Sequence, residues 1–177
     1  MASRSLTPIE LTEARIVFGD GLAYGRVRVA ESAGWTNALP RLRGLFSGRT
    51  LPIADNAVTL GSTTYFPRRL RTSLDSLAAG QFGDFAWLIH ELTHAWQAEH
   101  IGARYLTKAI GIQLRGKGNV YDYGGESAVL AAVEAGTLLR AFDVEQQGEI
   151  ARDYYLKRKR GLDASGWEPL MAAFRLR

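Results

Sequence analysis

The chain has 177 residues, 46% hydrophobic and 23% charged, with 22 Lys and Arg against 18 Asp and Glu for a formal charge of +4. That length predicts a single domain over residues 1–177 with an ordinary core, and the absence of cysteine excludes disulfides, thiolate metal sites, iron–sulfur clusters and thiol nucleophiles. Any metal must be held by His, Asp or Glu, and the three histidines, His90, His94 and His100, all fall within one short stretch.

The N-terminal Met1-Ala2-Ser3-Arg4-Ser5-Leu6 has one basic residue and no apolar run of signal-peptide length, so synthesis in the cytoplasm without a signal peptide is expected. Thr7-Pro8-Ile9-Glu10 pairs a capping residue with proline at the first helical position and glutamate three residues on, predicting a helix over 8–18. Gly19-Asp20-Gly21 ends it, and Tyr24-Gly25-Arg26-Val27-Arg28-Val29 alternates as a half-buried strand. Residues 31–55, broken by Gly34, Pro40, Gly44, Gly48 and Pro52, read mostly as loop. Residues 56–67, rich in Thr, Val, Tyr and Phe, predict one strand kinked or bulged at Gly61.

Periodicity then changes. Phe85, Ala86, Leu88, Ile89, Leu92 and Trp96 recur at spacings of three and four, giving a helix that continues to about Glu99. Further helices are expected over 103–114, 126–142 and 143–160, the last closed by Gly161, with a glycine-rich loop over 116–125. The fold class is α+β, a small mixed β-sheet with an active-site helix and a mainly helical C-terminal half. The most apolar runs, 85–89 and 128–133, stop far short of the ~20 residues a transmembrane segment needs.

His90-Glu91-Leu92-Thr93-His94 is an HExxH motif within a segment read independently as helix. Four residues apart, the two imidazoles lie one above the other and can converge on one ion. Glu91, rotated by about 100° from His90, can reach a water on that ion without ligating it. Such a site performs metal-assisted hydrolysis, commonly of a peptide or amide bond.

Two third ligands are readable. His100 has the interval of the HExxHxxGxxH pattern, but Gln97 stands where that pattern needs glycine, and Met171 lies in a terminal segment with no turn signal beside it. Glu145, in Asp143-Val144-Glu145-Gln146-Gln147-Gly148-Glu149, is preferred, because Glu149 one turn on can accept the other ring N–H of a ligating histidine. Glu126 and Glu134 compete less well. Tyr123 and Tyr154 are the candidates for stabilising the oxyanion, with Tyr155 beside them. The strand ending Thr63-Thr64-Tyr65 is expected at a sheet edge, where an extended substrate could add to it. Lys157-Arg158-Lys159-Arg160 reads as a solvated helix end that complements the dipole, and without interleaved aromatics it supports no nucleic-acid partner.

Taken in order, Leu6-Thr7-Pro8, Arg26-Val27-Arg28-Val29, Ala57-Val58-Thr59-Leu60-Gly61-Ser62-Thr63-Thr64-Tyr65-Phe66, His90-Glu91-Leu92-Thr93-His94-Ala95-Trp96-Gln97, Val144-Glu145-Gln146-Gln147-Gly148-Glu149-Ile150 and Asp153-Tyr154-Tyr155 resemble the metallopeptidase domains of contractile injection systems. The closer resemblance is to the Vgr-related zinc metallopeptidase domains attached to type VI secretion spikes. It implies a zincin-like fold, Zn²⁺ held by His90, His94 and Glu145, and Glu91 as base. It also implies an effector or toxin delivered into a target cell by a type VI-like apparatus, with a secretion spike and an immunity protein as partners. The expected activity is that of a zinc metallopeptidase of the gluzincin type acting on a peptide or peptidoglycan-peptide substrate. The alternative is a non-catalytic zinc-containing adaptor or cargo module, in which the metal only holds helices together.

Overall fold

Thr7 caps the first helix as its sequence predicts. In the computed structural model, which describes residues 2–37, 55–102 and 121–176, α1 spans Pro8–Phe18, and Thr7 and Glu10 exchange both bonds of a capping box. Glu10 does more than cap. Fully buried, its carboxylate also accepts from Arg4 at 2.7 and 2.9 Å and from Thr72 at 2.6 Å, tying the N-terminus and the segment after the sheet to α1.

Three short strands form the sheet in the order β1-β3-β2, with β1 at Arg28–Ala30, β2 at Val58–Leu60 and β3 at Thr63–Tyr65. β1 runs parallel to β3, and β2 antiparallel to it, Val58 opposite Tyr65. Residues 56–67 are therefore a hairpin rather than one kinked strand. Gly61, at φ +61°, lets the chain reverse in two residues. The hairpin moves the edge too: Thr63–Tyr65 is the central strand, and among the described residues β2 lies at one edge and β1 at the other. A short helix not anticipated from the sequence, α2 (Leu74–Ala78), is capped by Ser73.

α3 (Gly83–Ile101) carries the HExxH motif. Its first turn is anchored by Asp84, which accepts two bonds of 2.8 Å from Arg68 and one of 2.7 Å from the Arg71 backbone. Arg68 above all holds the Asp84 carboxyl down to about 2, and a carboxylate at that end of a helix also suits the dipole. Leu88, Ile89 and Leu92 are buried around α3.

The single helix expected over 126–142 is divided. α4 (Gly125–Glu134) stops before Gly136, which at φ +65° takes the left-handed conformation that closes helices, and a 3₁₀ turn at Leu138–Ala141 follows. Asp143 then starts α5 (Val144–Lys159) with a second capping box, reciprocated by Gln146. The chain ends in α6 (Glu168–Arg175), also not anticipated, whose Leu170, Met171 and Phe174 are fully buried. The Phe174 ring meets those of Phe18 and Trp96 edge-on, 5.8 and 5.0 Å between centres. The long α3 and α5 pack along each other, the sheet lies against α3, and α1 and α6 close the core. The protein is α+β as expected. Residues 103–114, expected to be helical, and residues 38–54 and 116–120 of the expected loops lie outside the described residues. No helix among the described residues is long and apolar enough to cross a membrane.

Candidate metal centre

Helical spacing stacks His90 and His94 on the face of α3 that meets α5, and the Asp143 cap sets Glu145 in the first turn of α5 directly opposite. The two Nε2 atoms are 3.2 Å apart, and Glu145 Oε2 lies 3.6 Å from that of His90 and 3.5 Å from that of His94. His90, Glu91, His94 and Glu145 are each only 5–7% exposed. Burying so many polar groups is costly unless they are mutually compensated or bind an ion. The group His90, His94 and Glu145 can hold a metal ion.

Burial opposes the charged form of each member, and the partners outweigh it. Glu145 first and Glu149 next raise the His90 imidazole to about 10. Glu145 raises His94 as well, while the two histidines hold Glu145 below the usual carboxylate range.

The surroundings of the two histidines differ. Glu149 Oε1 is 3.1 Å from His90 Nδ1 and its other oxygen takes Arg152 at 2.5 Å. The His90 contact is bent, so that Nδ1 has no well-aligned hydrogen bond among the described residues. His94 Nδ1 meets Gln97 Oε1 at 2.9 Å. Gly148 explains how α5 comes so close: a Cβ there would lie 2.8 Å from His90 Cε1 and 2.9 Å from Nδ1, inside contact distance. On the sheet side, Thr59 of β2 donates from Oγ1 to Glu91 Oε2 at 2.7 Å.

The other candidates lie elsewhere. α3 continues unbroken past Gln97, so His100 faces away, stacked on Trp96 with Nδ1 2.9 Å from the Trp96 carbonyl. Glu126 is exposed and bound to Lys157 and Trp167, and Glu134 is exposed. Tyr154 is nine residues from Glu145, about 180° round α5, and its hydroxyl is engaged by Glu168, Arg158 and Arg175. Tyr155 donates to Glu13 at 2.6 Å. Tyr123 donates to Asp153 at 2.7 Å, its ring against Phe142 and Trp167. Among the described residues the tyrosine beside the group is Tyr121, whose ring centre is 6.3 Å from that of His90.

Sequence reasoning gave no role to Thr59, Gln147, Gly148 or Tyr121, and read Gln97 only as a missing glycine. Two of these carried a signal. Gln97 is three residues from His94 and so shares its face, and a glycine inside the predicted helix of Glu145 and Glu149 invites a steric explanation.

An α+β fold with a buried His-His-Glu group between the two longest helices among the described residues is the class of protein defined here. Over 171 residues the chain is 32% identical to the type VI secretion system spike protein VgrG2b of Pseudomonas aeruginosa. The match covers 93% of this chain and establishes homology to that spike protein, of whose length this chain spans 14%. No family model matches the chain, and no solved structure matches it.

Proposed function

We propose that the chain is a zinc-dependent peptidase of the gluzincin type that serves as an effector region of a type VI secretion spike. The observation that carries this reading is the convergence of His90 Nε2, His94 Nε2 and Glu145 Oε2 beside Glu91. Metal–ligand bonds of 2.0–2.1 Å in a tetrahedron put ligand atoms about 3.3 Å apart, close to the separations of 3.2, 3.5 and 3.6 Å here. Three ligands, the number present among the described residues, suit a catalytic site with an open position, whereas structural zinc takes four.

Zinc held by His90, His94 and Glu145 would supply a Lewis acid and a water whose pKa is lowered to about 7. Thr59 holds one oxygen of Glu91, which aims the carboxylate. Glu91 would act as general base toward that water and as general acid toward the leaving nitrogen. The oxyanion donor proposed is Tyr121, whose ring stands beside that of His90. Among the described residues β2 lies at one edge of the sheet and carries Thr59, so an extended peptide added along it would pass the site. A peptide or peptidoglycan crosslink in a target cell is the substrate proposed, with the spike as carrier and an immunity protein as the producer's safeguard.

Glu91→Ala tests the enzyme against the adaptor. The variant should keep its zinc and lose hydrolysis of a peptide panel or of cell-wall peptides by about 10²–10⁴-fold. Activity equal to that of the unaltered protein, or none in either, leaves zinc as a fastener between helices.

A further inference from the structure

We propose that Gln97 and Gln147 form a buried amide relay that fixes the tautomer of His94, with the proton on Nδ1 and the Nε2 lone pair at the metal position. This rests on the reading of His90, His94 and Glu145 as metal ligands and adds two positioning residues to it.

The relay is read from groups that can only accept. Gln147 places its amide nitrogen 2.9 Å from the Leu139 carbonyl and 3.0 Å from that of Phe142. A carbonyl oxygen offers no proton, so this end of Gln147 must be its NH₂, and its Oε1 faces Gln97. Gln97 in turn directs its NH₂ to the Val144 carbonyl and to Gln147 Oε1, each at 2.9 Å. All four amide protons are thereby used. Reversing either amide would set oxygen against oxygen in a site where Gln97 is fully buried and Gln147 nearly so. Gln97 is left with an oxygen toward His94 Nδ1, 2.9 Å away, and only a protonated Nδ1 satisfies that contact. In the neutral, metal-binding form of His94 the lone pair then falls to Nε2, which is 3.2 Å from His90 Nε2.

The three carbonyls belong to residues 139–144, the segment that turns the chain into α5 and delivers Glu145. One stretch of backbone thus supplies a ligand and, through two neutral amides, dictates which nitrogen of another ligand is available. Gln147 is hydrogen-bonded to Gln97, which in turn meets His94, so its effect on the metal is expected to pass through Gln97.

Zinc titration against a competing chelator and ¹⁵N spectra of the zinc-loaded protein test this, three histidines making the imidazole region simple to assign. The expected spectrum shows a protonated His94 Nδ1 and zinc coordination at Nε2. Gln97→Met should weaken zinc binding by about 10–100-fold, the usual effect of losing a partner behind a ligating histidine. Gln147→Met should weaken it at least about 3-fold, and the double variant should fall no further than Gln97→Met alone, as expected of residues acting in one chain. Coordination through Nδ1, or zinc affinity in Gln147→Met within twofold of the unaltered protein, overturns the relay while leaving the metal site standing. Failure of the unaltered protein to bind zinc overturns both. The spectrum needs no variant, so a Gln97→Met protein that does not fold still leaves the relay open to refutation.

Discussion

His90 and His94 are one helical turn apart on the same face, yet the flanks that support them are built on different principles. Around His90 the support is ionic and close: Glu149 with its Arg152 partner on one side, and the bare backbone of Gly148 against the ring. Around His94 the support described is a neutral amide: Gln97, anchored by Gln147 and backbone carbonyls. A carboxylate near a buried imidazole tolerates imperfect geometry because attraction falls slowly with distance, whereas a neutral amide works only through directed bonds. The pairing teaches that two chemically equivalent ligands can be held by charge on one side and by hydrogen-bond logic on the other.

The largest disruption should come from Glu145→Ala, which removes the group shared by both flanks. Bound zinc should drop well below one equivalent, as read by metal analysis after dialysis. Gly148→Ala breaks only the His90 flank. Alanine should favour the helix by about 1 kcal/mol, but its Cβ would meet the imidazole at 2.8 Å. Zinc affinity should fall by about tenfold or more, with the His94 signals in the ¹⁵N spectrum unchanged. A more stable variant with undiminished affinity would show that the close approach is incidental.

A pH series separates the ionic flank from the metal. In the metal-free protein, His90, raised from 6.5 to about 10 by Glu145 and Glu149 against the opposing effect of burial, contributes stability that is complete below pH 6.5 and lost as pH climbs through about 10. Glu145, lowered from 4.5 by His90 and His94, contributes stability that is present above pH 4.5 and lost as pH falls. The pair thus stabilises most between pH 4.5 and 6.5. Zinc reverses the trend, since it must displace protons from the histidines, and the gain in Tm on adding zinc should grow from about pH 6 to about pH 8. The smallest effect is expected of His100→Ala, which lies on neither flank: zinc content should not change, and a loss of zinc would restore a three-histidine site.

The two helices of the site were legible because their signals are local. HExxH states its own spacing, and Asp143 marks the start of α5 from side chains within three residues, as Thr7 does for α1 outside the site. What sequence could not show depends on contacts across the chain. Gly61 was visible, but whether it bulges a strand or turns a hairpin is decided by pairing between β2 and β3, and with it which strand is the edge. Thr59 looks like any strand threonine until the sheet is laid against α3. Tyr154 and Tyr155 looked catalytic by nearness in sequence, yet helical rotation carries them to the core side of α5, where Glu168 and Glu13 engage them. Gly136 marked a break that its apolar neighbours concealed.

The central claim is that His90, His94 and Glu145 form one metal site, and zinc stoichiometry tests it most directly. Equilibrated in a zinc buffer and measured by elemental analysis, the protein should carry one zinc per chain, and Glu145→Ala should carry far less. A protein without zinc, or a Glu145→Ala variant that retains a full equivalent, would contradict the account.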